Sequence, residues 1–146
     1  MRSVHKSVLV PYSARQMFEL VERIEDYPKF LPWCGGTRIL ERTADGAIAR
    51  IDIDYHGVRA HFTTANRNQP PGRILVQLRD GPFRRLDGIW QFRPLSDTAC
   101  KVEFELDYEF ATPVLETLIG PVFGRIADSF IDAFVKRAAA VYGAGA

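Results

Sequence analysis

Four side chains able to move protons or hold a metal crowd into one short stretch: Asp52, Asp54, His56 and His61. A catalytic or metal centre needs such groups aimed into a shared, enclosed space. Their spacing argues against one. Asp52, Asp54 and His56 alternate with Ala49, Ile51, Ile53 and Tyr55, and successive side chains of a strand leave on opposite faces. The acids and imidazoles therefore belong to a solvated face, where an ion pair of Asp54 with His61 is usually worth under about 1 kcal/mol. The polar groups that share the apolar parity are Tyr55, Thr64, Asn66 and Tyr108, which can orient a carbonyl group but are weak acids or bases near neutral pH. Cys34 and Cys100 stand in no Cys-x-x-Cys or Cys/His cluster and read as two reduced thiols. No catalytic residue, metal site or covalently attached cofactor is expected.

Basic groups form the second pattern. Arg50, Arg59, Arg67, Arg73, Arg79, Arg84, Arg85 and Arg93 face only Asp52, Asp54, Asp80 and Asp87 over the same stretch, while Glu103 to Glu116 carries no base. Arginines on a solvated sheet face can contact phosphates, although such a face is charged in ordinary proteins too. No RNA-binding motif with interleaved aromatics accompanies them.

The elements that must position these groups are legible from periodicity. Residues 3–10 read as a strand, and Ser13 with Gln16 makes a Ser-x-x-Gln capping box ahead of a helix with the apolar stripe Met17, Phe18, Leu20, Val21 and Ile24. Asp26-Tyr27-Pro28 allows at most a short second helix through Leu31, and Pro32 stops it. From Gly36 to Phe110 the period is two. A hairpin turn at Gly57-Val58 would pair Tyr55 with Ala60, Ile53 with Phe62, Ile51 with Thr64 and Asp54 with His61. Further turns are expected at Gln69-Pro70-Pro71-Gly72, Asp80-Gly81-Pro82 and Leu95-Ser96-Asp97, bounding strands near residues 73–79 and 86–93. In the last strand Val102, Phe104, Leu106, Tyr108 and Phe110 face one way and the acids the other.

Thr112-Pro113 then starts a helix with an N-cap hydroxyl and a first-turn proline. Leu115, Leu118, Ile119, Val122, Phe123, Ile126, Phe130, Phe134 and Ala138 recur at steps of three and four, and Gly120-Pro121 predicts a kink or break. The chain of 146 residues, 47% hydrophobic and 25% charged with net charge +1, suits one α+β domain over residues 1–146. It offers neither a signal-peptide core nor an apolar run of the roughly 18 residues a membrane span needs, so a cytoplasmic location is expected. One helix covers a broad curved sheet poorly, so ring-bearing residues on both sides either fill the gap or line a pocket.

The segments Tyr27-Pro28-Lys29-Phe30-Leu31-Pro32-Trp33-Cys34 and Asp80-Gly81-Pro82-Phe83-Arg84-Arg85-Leu86-Asp87-Gly88-Ile89-Trp90-Gln91-Phe92 resemble signatures of the coenzyme Q-binding protein and ribosome association toxin family. That family lies within the START-like, helix-grip superfamily, which also includes polyketide cyclases. Val10-Pro11-Tyr12-Ser13 and Gly120-Pro121-Val122-Phe123 fit the same pattern, and the lack of a mitochondrial presequence before Val4 favours its bacterial side. The resemblance implies a curved antiparallel sheet wrapped around a long C-terminal helix, with a cavity for an isoprenoid quinone such as ubiquinone, or a polyprenyl lipid, between them. The expected lining is Phe30, Leu31, Trp33, Tyr55, Phe62, Trp90, Phe92, Phe104, Tyr108, Val122, Phe123, Ile126 and Phe130, with residues 30–33 as a rim. It also implies an alternative in which Arg59, Arg67, Arg73 and Arg79 contact the large ribosomal subunit and hinder subunit joining. Transient membrane contact would suit a lipid carrier.

Overall fold

The computed structural model describes residues 2–69 and 72–143. Strand β1 (Arg2–Val10) leads to helix α1 (Ala14–Glu22). The capping box is formed: Ser13 Oγ accepts the Gln16 N–H at 3.1 Å, and Gln16 Oε1 accepts the Ser13 N–H at 2.9 Å. A 3₁₀ turn follows at Ile24–Lys29 with Pro28 inside it. Its buried Tyr27 hydroxyl donates to the Val21 carbonyl, tying the turn back to α1. Six strands then run as a meander, β2 (Cys34–Thr43), β3 (Gly46–Tyr55), β4 (Val58–Gln69), β5 (Arg73–Asp80), β6 (Phe83–Ser96) and β7 (Ala99–Phe110), before helix α2 (Pro113–Tyr142). All neighbours are antiparallel, in the order β1-β7-β6-β5-β4-β3-β2, so the first strand closes on the last.

The alternation places the core as expected. Ala49, Ile51 and Ile53 of β3 and Val102, Phe104, Leu106, Tyr108 and Phe110 of β7 are all buried against the helices. The β3–β4 hairpin turns one step earlier than expected, at His56-Gly57, with φ of 50° and 78°. Two successive left-handed residues match the twist of the flanking strands, and Gly57 adopts that conformation without a Cβ penalty. The register consequently moves by two: Tyr55 pairs with Val58, Ile53 with Ala60, Ile51 with Phe62 and Asp54 with Arg59. A shift of two keeps every side chain on its face, so the burial pattern survives while the cross-strand partners change.

The other boundaries differ by a few residues. β2 begins at Cys34, β6 extends from Phe83 to Ser96, and the last turn falls at residues 97–98 instead of Leu95-Ser96-Asp97. The expected turn at Gln69-Pro70-Pro71-Gly72 lies partly outside the described residues, but its ends are joined by a 3.1 Å hydrogen bond from the Gly72 N–H to the Gln69 carbonyl. Gly81, at φ 147°, crosses so close to β4 that a Cβ there would sit 2.8 Å from Phe62 Cβ.

Helix α2 spans 30 residues, about 45 Å. Thr112 Oγ1 caps it by accepting the Leu115 N–H at 3.2 Å. Ile119, Phe123, Ile126, Ala127, Ile131, Phe134 and Ala138 are buried, whereas Leu118, expected in the apolar stripe, is 63% exposed. No break occurs at Gly120-Pro121. Thr117 and Pro121 are both exposed, so water can satisfy the carbonyl that Pro121 leaves without a donor. At the other end, the Tyr12 hydroxyl donates to the Gly143 carbonyl (2.7 Å) and the Tyr142 hydroxyl to the Gln16 carbonyl (3.1 Å), clasping α2 to the first helix. Among the described residues, no helix is long and apolar enough to cross a membrane.

Residues 116–124 of α2 bury only Ile119 and Phe123 and include the hydrogen bond missing at Pro121, whereas residues 126–135 bury Ile126, Ala127, Ile131 and Phe134 and lead to the clasped end. Amides of residues 116–124 should exchange with solvent faster than those of 126–135. Equal protection by hydrogen-exchange mass spectrometry would show a uniformly held helix.

Candidate ligand cavity under the C-terminal helix

Where α2 crosses the concave sheet face, a cavity of about 70 Å³ remains. The sheet contributes Ile51, Phe62, Thr64, Asn66, Val76, Leu86, Trp90, Phe104 and Leu106. The helix contributes Phe123, Ile126, Ala127 and Phe130, and the α1 side adds Val21, Tyr27 and Trp33. The volume is small because rings fill most of the gap. Phe130 sits among Tyr27, Trp33, Trp90, Phe104 and Phe134, with centroids 5.2 to 6.4 Å away. A dry cavity of about 150 Å³ is known to take benzene, so this one admits less than a ring unless a side chain moves. Phe130 is only half-buried and is the ring best placed to do so.

The lining is chemically quiet. It holds no carboxylate, imidazole, amine or thiol, and its titratable Tyr27 has its hydroxyl bonded to Val21 and its ionisation pushed far up by burial. Thr64 Oγ1 donates to Asn66 Oδ1 at 2.9 Å, so this pair is the polar spot on an otherwise apolar wall. It can orient a carbonyl or hydroxyl; it has no base with which to remove a proton.

Of the residues expected at the lining, Trp33, Phe62, Trp90, Phe104, Phe123, Ile126 and Phe130 meet there. Six do not line it. Phe92 is buried behind Trp90 against Phe18, 5.8 Å between ring centroids. Tyr108 has the inward parity but packs further along β7 among Phe83, Phe110 and Phe123. Tyr55 stands at the hairpin end beside His56, and Val122 is half-buried one position from the lining Phe123. Leu31 is buried outside the cavity, and Phe30 faces an outer groove, its ring under the Arg137 guanidinium at 5.2 Å. Ile51, Leu86 and Leu106 line it as well, on the inward parity of their strands. Tyr27 reaches the cavity through the fold of the 3₁₀ turn, which no period announces, while Val21 comes from the apolar stripe of α1.

The Asp/His cluster lies on the outer face. Asp52 pairs with Arg50 at 2.9 Å, Asp54 with Arg59 at 3.8 Å, and His61 stands across from Asp52 and not from Asp54, because of the shifted register. No group of three or more metal-binding side chains occurs among the described residues. The four arginines considered for phosphate contact are all exposed, but unequally engaged. Arg59 faces Asp54 and Arg67 faces Asp45, each at 3.8 Å, while Arg73 and Arg79 make no ion pair among the described residues. Arg67 and Arg79 border one shallow hollow with Leu75 and Gln77.

A curved antiparallel sheet gripping a long C-terminal helix over an apolar cavity defines the helix-grip, START-like class. Residues 10–135 match the family described as polyketide cyclase / dehydrase and lipid transport, and the chain belongs to that family. It is 44% identical over 144 residues to the ribosome association toxin RatA of Escherichia coli (strain K12), an alignment covering 99% of this chain and 91% of that one. It is 26% identical to the mitochondrial coenzyme Q-binding protein COQ10 homolog B of Xenopus laevis, over 94% of this chain and 58% of that one. A solved START superfamily protein from Mycobacterium smegmatis superposes with a TM-score of 0.78 at 27% identity, covering 92% of this chain and 95% of the other.

Two measurements check this packing. Phe130→Ala should cost about 3 kcal/mol, the low end for a buried ring because this one is half-exposed, and should let the enlarged space take up benzene; a variant that stays closed to benzene would show that another side chain limits the volume. Burial pushes the Cys100 thiol up to about 11 from an ordinary value near 9. Because the folded value is the raised one, its contribution to stability is full below about pH 9 and is lost as pH rises through 11. Cys100→Ala should flatten part of the alkaline fall in stability, and native protein should react slowly with a thiol reagent at pH 8.

Proposed function

We propose that this protein binds an apolar, isoprenoid-type molecule, ubiquinone or a biosynthetic relative, non-catalytically in the cavity between the sheet and α2. The observation that carries the reading is an apolar, aromatic-lined space beneath one long helix, with a polar Thr64–Asn66 pair and no carboxylate, imidazole, amine or thiol on its wall. Binding would displace Phe130, since the present volume is too small for a chain or ring. The name of the Xenopus laevis relative supports a quinone, and the family description supports lipid handling.

A second reading, association with the large ribosomal subunit, is favoured by the name borne by the Escherichia coli relative and by Arg73 and Arg79, exposed cations without an acidic partner among the described residues. Such a contact would be electrostatic and would weaken steeply with salt.

Mutants on opposite faces separate the two. Phe130→Asp places a carboxylate at the cavity wall, and Arg73→Glu with Arg79→Glu replaces attraction to phosphate by repulsion. If ligand carriage is the function, mass spectrometry of an organic extract finds a lipid in the wild type and in the arginine variant but not in folded Phe130→Asp. If ribosome association is the function, co-sedimentation with the large subunit falls in the arginine variant, more steeply as salt rises. Wild-type protein that carries no lipid and does not co-sediment would defeat both readings.

A further inference from the structure

Beside the cavity, an open groove of about 640 Å³ runs between the loop after the 3₁₀ turn and the C-terminal half of α2. Its floor is apolar, with Phe30, Pro32, Ala133 and Ala140, and its wall is Trp33, the same indole that lines the cavity. Its rim is cationic. Lys29, Lys136 and Arg137 border it against the single acid Asp132. Lys29 is already paired with Asp26 at 3.1 Å, but Lys136 and Arg137 make no ion pair among the described residues, and Arg137 rests over the Phe30 ring.

The geometry points to a ligand with an anionic head on an apolar chain, the head held by Lys136 and Arg137 in this groove and the chain passing Trp33 into the cavity once Phe130 gives way. The inference rests on the ligand-binding reading above and, among the molecules it admits, selects relatives with an acidic head over neutral ubiquinone. Three observations support it. Phe130, Ala133, Phe134 and Arg137 recur at steps of three and four, so they share one helix face, and positions 130 and 137 are separated by about 10 Å of helix rise. The apolar floor between them suits several methylenes. A half-exposed arginine over a ring keeps its N–H donors available for a carboxylate or phosphate, which a bidentate guanidinium contact holds strongly.

The test compares dodecanol, dodecanoate and dodecyl phosphate, each below its aggregation concentration, by calorimetry on the whole chain. Both anions should bind at least about tenfold more tightly than the alcohol, the tighter of the two identifying carboxylate or phosphate as the natural head. Lys136→Gln with Arg137→Gln should abolish that preference while leaving dodecanol binding unchanged and lowering the melting temperature only slightly, since Lys136 is exposed and Arg137 gives up only its contact with the Phe30 ring. Equal binding of all three, or a preference that survives the substitutions, would overturn the acidic-head inference and leave the cavity reading standing. Dodecanol, dodecanoate and dodecyl phosphate all failing to bind would overturn both. Flotation with anionic vesicles in the absence of dodecanoate binding would assign the cations to a membrane surface and also overturn it.

Discussion

Seven strands present a wider apolar face than a single helix can touch, and the interior of this protein is organised around closing that gap. A helix packs about 10 Å from what it covers, and beyond its line of closest contact large rings reach further than aliphatic side chains. Trp90 and Phe104 rise from the sheet and Phe123, Phe130 and Phe134 descend from α2, most pairs meeting edge-on or tilted. The α1 side inserts Tyr27 and Trp33 from the flank. Rings are stiff and do not tile completely, so a residual space is left at their centre.

That residual space lies on the border between packing and binding. At about 70 Å³ it is smaller than a dry cavity known to take benzene, and the half-buried Phe130 ring stands beside it. Ligand binding as proposed above asks one of these rings to move. The polar pair at Thr64 and Asn66 is the spot on this wall that can orient a bound group.

Much of this was legible in the residues. The strict alternation of β7 gave its inward face, the Ser13–Gln16 spacing gave the start of α1, and Thr112-Pro113 gave the start of α2. The hairpin at His56-Gly57 was missed by one step because a left-handed histidine is uncommon, and parity cannot detect a shift of two. The cavity wall was legible in parity but not in position. Phe92 and Tyr108 point inward like Trp90 and Phe104, yet they lie beyond either end of the space, and only the curvature of the sheet and the crossing of α2 decide that. Tyr27 depends on a 3₁₀ turn that carries no periodic signal, whereas the inward side of Val21 followed from the stripe of α1.

The pairing of β1 with β7 has a consequence for the order in which the chain can assemble. β2 to β7 join neighbours in sequence, so each hairpin can form as soon as its two strands exist. β1 must wait: Ser3 stands opposite Asp107, and the Tyr12–Gly143 clasp joins residues 131 positions apart. Closing such long loops is entropically costly and slow compared with zipping a hairpin. During synthesis the first strand and α1 therefore emerge without their partners, and an unpaired strand edge accompanied by an apolar helix face is open to wrong pairings until the last third of the chain has been made.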